Sequence, residues 1–323
     1  MTGSRVEVMK FIGAQLETTL GEYLKPVEEL WQPGDLLPDS TRESFHEEIR
    51  ALRESLSELS YDYWVVLVGD CITEEALPTY ESWLMSMHTI DPEASTGWTK
   101  WIRSWTAEEN RHGDLLNKLL YLSGRINMRA MEISTHYLLA DGFDIGTTRD
   151  PYRNFVYTSF QELATNVSHR RTATLAKKAG SLQLSKICGV IAADEMRHAN
   201  AYKAFVNRIF EVDPSEMMLA FEDMMRKKIV MPAHFLREAG MGIGETFAHF
   251  SDVAQRLGVY TTYDYIEIME DLIKEWKIDA IANLNDAAER GRDYIMKLPE
   301  RLRRIAERTR IPERTHHFSW IAG

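Results

Sequence analysis

The sequence predicts an all-α protein built on a four-helix bundle within one larger helical domain. Three observations carry this expectation. Apolar residues recur at steps of three and four through most of the chain, and no Asn-Gly or Asp-Gly hairpin stands between alternating apolar runs. The periodic segments run roughly 15 to 28 residues with short connections, long against a usual mean of about 11–12, and such helices favour a bundle. Two of the apolar seams are also interrupted alike, by a glutamate and, three residues on, a histidine.

Taken in order, residues 1–30 read as a peripheral N-terminal helical segment, and "WQPGDLLPDS" (Trp31–Ser40) reads as a loop. Helices are expected near 60–87, 97–121, 126–140, 152–178, 181–210 and 214–230, with shorter ones after Pro232. A loop is expected from Asp91-Pro92 to Gly97. Asp150-Pro151 and Asp213-Pro214 read as N-caps followed by proline at the first helical position. Nothing between residues 40 and 310 has the composition of a linker, so 1–323 is expected to be a single domain.

Composition excludes several classes. A net charge of -11 speaks against general nucleic-acid binding. The longest apolar runs, Trp64–Val68 and Ile187–Ala193, fall far short of the ~20 residues a bilayer requires, so no membrane insertion is expected. The N-terminal stretch carries acids and no cleavable apolar core. Two cysteines, Cys71 and Cys188, make no disulfide framework and favour a reducing compartment. A cytoplasmic protein is expected, or one whose targeting peptide has been removed.

The two interrupted seams can be written out. Trp98, Ile102, Trp105, Glu109, His112, Leu116 and Leu119 form one stripe; Leu184, Cys188, Ile191, Glu195, His198, Tyr202, Phe205 and Ile209 form another. Charged side chains are almost never fully buried without a partner. "EENRH" and "DEMRH" repeat the order acid-Glu-x-Arg-His 86 residues apart. A Glu and a His at i and i+3 can hold one metal ion, and carboxylate with imidazole suits iron or manganese. A di-metal bundle also asks for one glutamate from each of two further helices. Glu74 lies 35 residues before Glu109, and Glu162 lies 33 before Glu195. The expected ligands are therefore Glu74, Glu109, His112, Glu162, Glu195 and His198. A third pair, Glu43 and His46, stands among charges with no apolar stripe and reads as surface.

Ligating imidazoles are usually oriented by a carboxylate on their second nitrogen. Asp194 could reach His112 and Glu108 could reach His198, with Arg111 and Arg197 balancing the charge; ordinary helix ion pairs are the alternative for these four. Basic residues cluster at Arg226-Lys227-Lys228, at Lys297, and along Arg301, Arg303, Arg304, Arg308 and Arg310, as a solvated face or a dock for an acidic partner.

At these residues the chain resembles the soluble acyl-acyl-carrier-protein desaturases, through "WQPGDLLPD", "VGDCITEEALPTY", "SWTAEENRHGDLLNKLLYLSGR", "YTSFQELAT", "ICGVIAADEMRH", "MMRKKIVMPAH", "VAQRLGVYT" and "FSWI". These blocks span about nine-tenths of the chain. The resemblance implies a ferritin-like di-iron bundle holding two iron ions per subunit on the six ligands above. It implies Thr165 beside the dioxygen site, and Trp31, Asp194 and His112 as an electron path. It further implies a homodimer, a saturated acyl chain on acyl carrier protein as substrate, a cis double bond, and a ferredoxin-type electron donor. A Δ9 position follows from the resemblance and not from the residues themselves. The family's plant members also admit the plastid stroma as location. Arg226, Lys227 and Lys228 are the first candidates for docking the carrier. Trp83, Ser86 and Met87 stand where the family has tunnel-lining residues, with Phe155 a further tunnel candidate; Trp83 would shorten the tunnel, or simply pack in the core. An acyl hydroxylase or an iron-storing protein remains the alternative function.

Overall fold

The computed structural model describes residues 3–310 and 316–322. The ends of the expected 1–323 domain, and residues 1–2 of the 1–30 segment, lie outside them. Twelve α-helices account for the described fold: α1 Gly3–Tyr23, α2 Phe45–Ser55, α3 Tyr61–Glu74, α4 Leu77–Met85, α5 Gly97–Ser123, α6 Met128–Asp141, α7 Pro151–Lys178, α8 Leu182–Val212, α9 Pro214–Lys227, α10 Glu245–Leu257, α11 Thr262–Glu275 and α12 Asp286–Ala306. Among the described residues β-pairing amounts to one isolated antiparallel bridge, Ile126 with Ile321. The fold is all-α, and α3, α5, α7 and α8 form its ferritin-like core. No described helix is long and apolar enough to cross a membrane.

The helix ends follow local chemistry. Asp150 caps α7 by accepting from the backbone N–H of Tyr152 and Arg153, with Pro151 in the first turn. Asn127 caps α6 through Ala130, and Ser60 caps α3 through Tyr63. Asp213 stands at the expected N-cap of α9 with Pro214 in the first turn, but its side chain makes no capping bond and takes the Tyr152 hydroxyl at 3.1 Å. The helix expected over 60–87 is two helices. Pro78 in the first turn of α4 supplies no N–H to a preceding turn, so α3 stops at Glu74 and the chain restarts at Leu77. Gly124, at φ 68, ends α5 in the left-handed conformation that a side chain would strain.

The predicted seams are the core. Trp98, Trp101, Ile102, Trp105, Leu116 and Leu119 of α5 are buried, as are Leu184, Cys188, Ile191, Tyr202, Phe205 and Ile209 of α8. Removing such aromatic and aliphatic surface from water stabilises the fold by roughly 25 cal/mol per Å². Helix α1 lies across α5 and α8, burying Met9, Ile12, Leu16 and Leu20, and the Trp98 indole donates to the Met9 carbonyl at 2.9 Å. At the other end of the chain Phe318 and Trp320 are buried, with the Trp320 indole donating to Ser134 at 2.8 Å. Glu43 and His46 are exposed, as their charged surroundings require.

Candidate metal centre

Each core helix delivers ionisable groups to one place. Glu74 ends α3, Glu109 and His112 lie mid-way along α5, Glu162 on α7, and Glu195 and His198 on α8; all six are buried. Their donor atoms form two groups: Glu74, Glu109, His112 and Glu195, then Glu109, Glu162, Glu195 and His198, with the atoms of each group within 4.8 Å of one another. Glu109 and Glu195 belong to both groups and so lie between two adjacent sites.

The contacts inside the cluster converge on points rather than pairing off. His112 Nδ1 lies 2.9 Å from Glu195 Oε1, 3.3 Å from Glu109 Oε2 and 3.7 Å from Glu74 Oε2. His198 Nδ1 lies 2.6 Å from Glu109 Oε1 and 3.5 Å from Glu162 Oε2. Although close, both Nδ1 atoms and Glu109 Oε1, Glu162 Oε2 and Glu195 Oε1 are buried without an aligned hydrogen bond. Buried polar atoms are nearly always satisfied, and orphaned lone pairs aimed at a shared centre suit metal ions. The oxygen-rich, thiolate-free donor set suits iron or manganese.

Electrostatics give the same reading. Burial and the neighbouring Glu109 and Glu195 charges push the Glu162 carboxyl well above the usual carboxylate range, and burial with Glu109 and Glu74 raises Glu195. Burial opposes ionisation of Glu109 too, yet the imidazoles of His112 and His198 hold it down to about 2. Burial likewise disfavours charged imidazoles, but Glu109 and the other facing carboxylates raise His112 and His198 well above the ordinary histidine value. Four carboxylates here need positive charge, which protons provide in the metal-free protein and metal ions would provide in its place.

The expected supporting residues surround this cluster. His198 Nε2 meets Glu108 Oε2 at 3.0 Å. His112 Nε2 is 3.6 Å from Asp194 Oδ2, close but not aligned as a hydrogen bond. Arg197 bridges the two outer carboxylates, bonding Glu108, Asp194 Oδ1 at 2.7 Å and the Tyr23 carbonyl at 2.9 Å. Arg111 bonds the Trp31 carbonyl and Asp194 Oδ2 (3.0 Å), with its guanidinium 4.4 Å from the Trp31 ring centre. The Trp31 indole donates to Asp194 Oδ2 at 3.0 Å, and its ring stacks 5.9 Å from that of His112. Thr165 Oγ1 donates to Glu195 Oε2 at 2.5 Å.

Two partners were missed in the sequence. The Trp105 indole donates to Glu162 Oε1 at 3.0 Å, and His169 Nε2 meets Glu74 Oε1 at 2.9 Å. Both stand on a ligand stripe, Trp105 one turn before Glu109 and His169 two turns after Glu162, so their face was legible although their partner was not. Asp70, one turn before Glu74, accepts from the Ser168 hydroxyl at 3.2 Å, and burial raises its carboxyl to about 6.

A cavity of about 840 Å³ reaches the cluster. Its buried end includes Glu74 and Asp70, with the half-buried Thr165, and its exposed end includes Arg226, Lys228, Arg301 and Ile305; Phe160, Met225, Phe250 and Ile266 line the wall. Trp83, Ser86, Met87 and Phe155 are not in this lining. Trp83 and Ser86 are half-buried and Met87 is buried, while Phe155 packs 5.0 Å from Trp98 and 5.7 Å from Phe205. Arg226 pairs with Glu222 and Lys227 with Asp223 (2.6 and 2.8 Å), so part of that basic cluster is neutralised one turn back. Arg303 and Arg304 pair likewise, with Glu270 at 2.8 Å and Glu300 at 2.5 Å.

The chain matches the fatty acid desaturase family over residues 4–322. It is 49% identical over 327 residues to a chloroplastic acyl-[acyl-carrier-protein] desaturase of Cucumis sativus, covering 99% of this chain and 82% of the relative. It is 50% identical over 327 residues to the chloroplastic stearoyl-[acyl-carrier-protein] 9-desaturase of Ricinus communis, with the same coverage. The solved structure of a candidate acyl-ACP desaturase, DesA2 of Mycobacterium tuberculosis H37Rv, superposes with a TM-score of 0.55 at 16% identity, covering 89% of this chain and 98% of that one. That likeness is one of fold.

Proposed function

Because the chain belongs to the fatty acid desaturase family, we propose that it is an acyl-acyl-carrier-protein desaturase: a di-iron, dioxygen-dependent enzyme that places a cis double bond, Δ9, in a saturated acyl chain. The observation that carries this reading is a pair of four-donor groups sharing Glu109 and Glu195 at the buried end of a cavity with a largely apolar wall. A site for a small apolar substrate has this form, concave and greasy with a few convergent polar groups.

Two ferrous ions held by Glu74, Glu109, His112, Glu162, Glu195 and His198 would supply dioxygen activation. In the overall reaction one dioxygen, two electrons and two protons remove two hydrogens from adjacent carbons and leave two waters. The protein's own residues do the rest. The cavity wall packs against the chain and keeps water from it. Trp105 and His169 fix the carboxylates of Glu162 and Glu74, and Glu108 fixes the His198 ring. Thr165, half-buried and lining the cavity, offers its hydroxyl at the dioxygen side while holding Glu195. Trp31, Asp194 and His112 form a contiguous path for electrons from a ferredoxin-type donor, with His112 and then Arg197 holding Asp194 ionised against its burial and Arg111 donating to its Oδ2.

The acyl carrier protein docks where the cavity opens among Arg226, Lys228 and Arg301, with Lys227 alongside. Trp83, Ser86, Met87 and Phe155 are proposed for the distal end of the acyl path on the resemblance alone, since none of them lines the cavity. The enzyme acts as a single-domain homodimer in the cytoplasm, or in the plastid stroma if a transit peptide has been removed. The test is direct. Iron-loaded protein, reduced ferredoxin and a panel of C14, C16 and C18 acyl carrier proteins are incubated in air and the product is analysed by mass spectrometry. A cis-monounsaturated chain supports the proposal; a hydroxylated chain, or none altered, overturns it.

A further inference from the structure

Gly69 is an unexpected residue for its place. It sits inside α3, where glycine costs ~1 kcal/mol against alanine, and its backbone is ordinary helix without positive φ. Conformational freedom therefore does not call for it; close approach does. Gly69 shares a stripe with Val66, Asp70 and Thr73, all of which line the cavity, yet Gly69 itself is covered by the ring of Phe250 from α10. A Cβ on Gly69 would lie 2.1 Å from Phe250 Cε2 and 2.6 Å from Cζ. The ring would have to move, and the open space beside it is the cavity, because Phe250 is itself part of the cavity wall.

We infer that the Gly69–Phe250 contact sets the bore of the acyl cavity, the missing side chain at Gly69 letting the ring lie back against α3, out of the path of a methylene chain. The inference rests on the cavity being the acyl site. Gly69 is thus a positioning residue and Phe250 a specificity-determining one. Overpacking a site of this kind typically costs enough to change an equilibrium by about tenfold or more.

The experiment measures palmitate binding to the purified full chain by isothermal titration, a readout independent of turnover, alongside thermal unfolding. Gly69→Ala should weaken binding about tenfold or more, and Gly69→Ala combined with Phe250→Leu should return it to within about threefold of wild type. If Gly69→Ala does not fold, Phe250→Trp crowds the bore from the opposite side and should weaken binding by a similar factor. A folded Gly69→Ala that binds as wild type does, a folded double variant that does not recover, or a Phe250→Trp that binds normally overturns the inference while leaving the acyl reading intact. Wild-type protein that binds no palmitate overturns the acyl reading and this inference together.

Discussion

Replacing Trp105 by phenylalanine isolates the support that a single hydrogen bond gives to one metal position. The indole N–H reaches Glu162 Oε1 at 3.0 Å, both residues are buried, and Glu162 Oε2 has no aligned partner of its own. Phenylalanine keeps an aromatic ring against Tyr202 and His198, 6.3 and 6.5 Å away, but removes the donor. A hydrogen bond to a charged group is worth about 1.5–3 kcal/mol, and losing an outer partner of a metal ligand typically costs 10–100-fold in affinity. Glu162 belongs only to the group with Glu109, Glu195 and His198, so the loss should fall on one iron of the two. Anaerobic ferrous titration of Trp105→Phe should show one ion bound as in wild type and a second bound about 10–100-fold more weakly. Trp101→Phe is the control, since Trp101 is buried on the same helix and donates to none of the carboxylates. Unchanged affinity for both ions in Trp105→Phe, or equal loss in Trp101→Phe, would refute the reasoning.

Three further outcomes follow from named contacts. Asp70 has a folded value raised to about 6 from 3.8 by burial, so its ionisation opposes folding as pH rises through that window; metal-free Asp70→Asn should match wild type in thermal unfolding below pH 3.8 and exceed it by about 1–3 kcal/mol above pH 6, and a variant less stable at pH 8 than at acid pH, relative to wild type, would contradict this. Trp31→Phe removes the indole donor to Asp194 while keeping an aromatic ring beside His112; stopped-flow reduction by ferredoxin should slow at least tenfold at unchanged iron content, and wild-type rates would exclude this path. With carriers of graded chain length, the proposed blocking role of Trp83 predicts faster turnover of C14 and C16 than of C18, each missing methylene contact being worth about 0.8 kcal/mol; equal or better turnover on C18 would dismiss that role for Trp83.

The six proposed ligands were legible because two independent periodicities met: apolar stripes marked the buried face, and the Glu-x-x-His spacing placed two donors on it. Glu74 and Glu162 came from repeated offsets between helices, and the structure brings both into the cluster. What failed was whatever depends on side chains from distant segments. Trp105 and His169 lay on legible faces, but the carboxylates they hold belong to other helices. The cavity is assembled from α3, α7, α9, α10, α11 and α12, and no single seam announces a surface built from six. The break at Leu77 was missed because Pro78 sits in a first turn, where proline is compatible with helix. Asp213 holds the N-cap position that its proline signalled, but that its side chain takes the Tyr152 hydroxyl instead of a backbone N–H was not legible, because Tyr152 comes from 61 residues earlier in the chain.

Iron stoichiometry with and without the central ligands, read beside product, tests the account most directly. Purified protein loaded anaerobically should hold two iron ions per subunit and form cis-monounsaturated acyl carrier protein in air. Glu109→Gln and His112→Ala should lose iron and product together, whereas Glu43→Gln and His46→Ala, on the exposed surface, should lose neither. Many ions per subunit without product, or full turnover in Glu109→Gln, would contradict it.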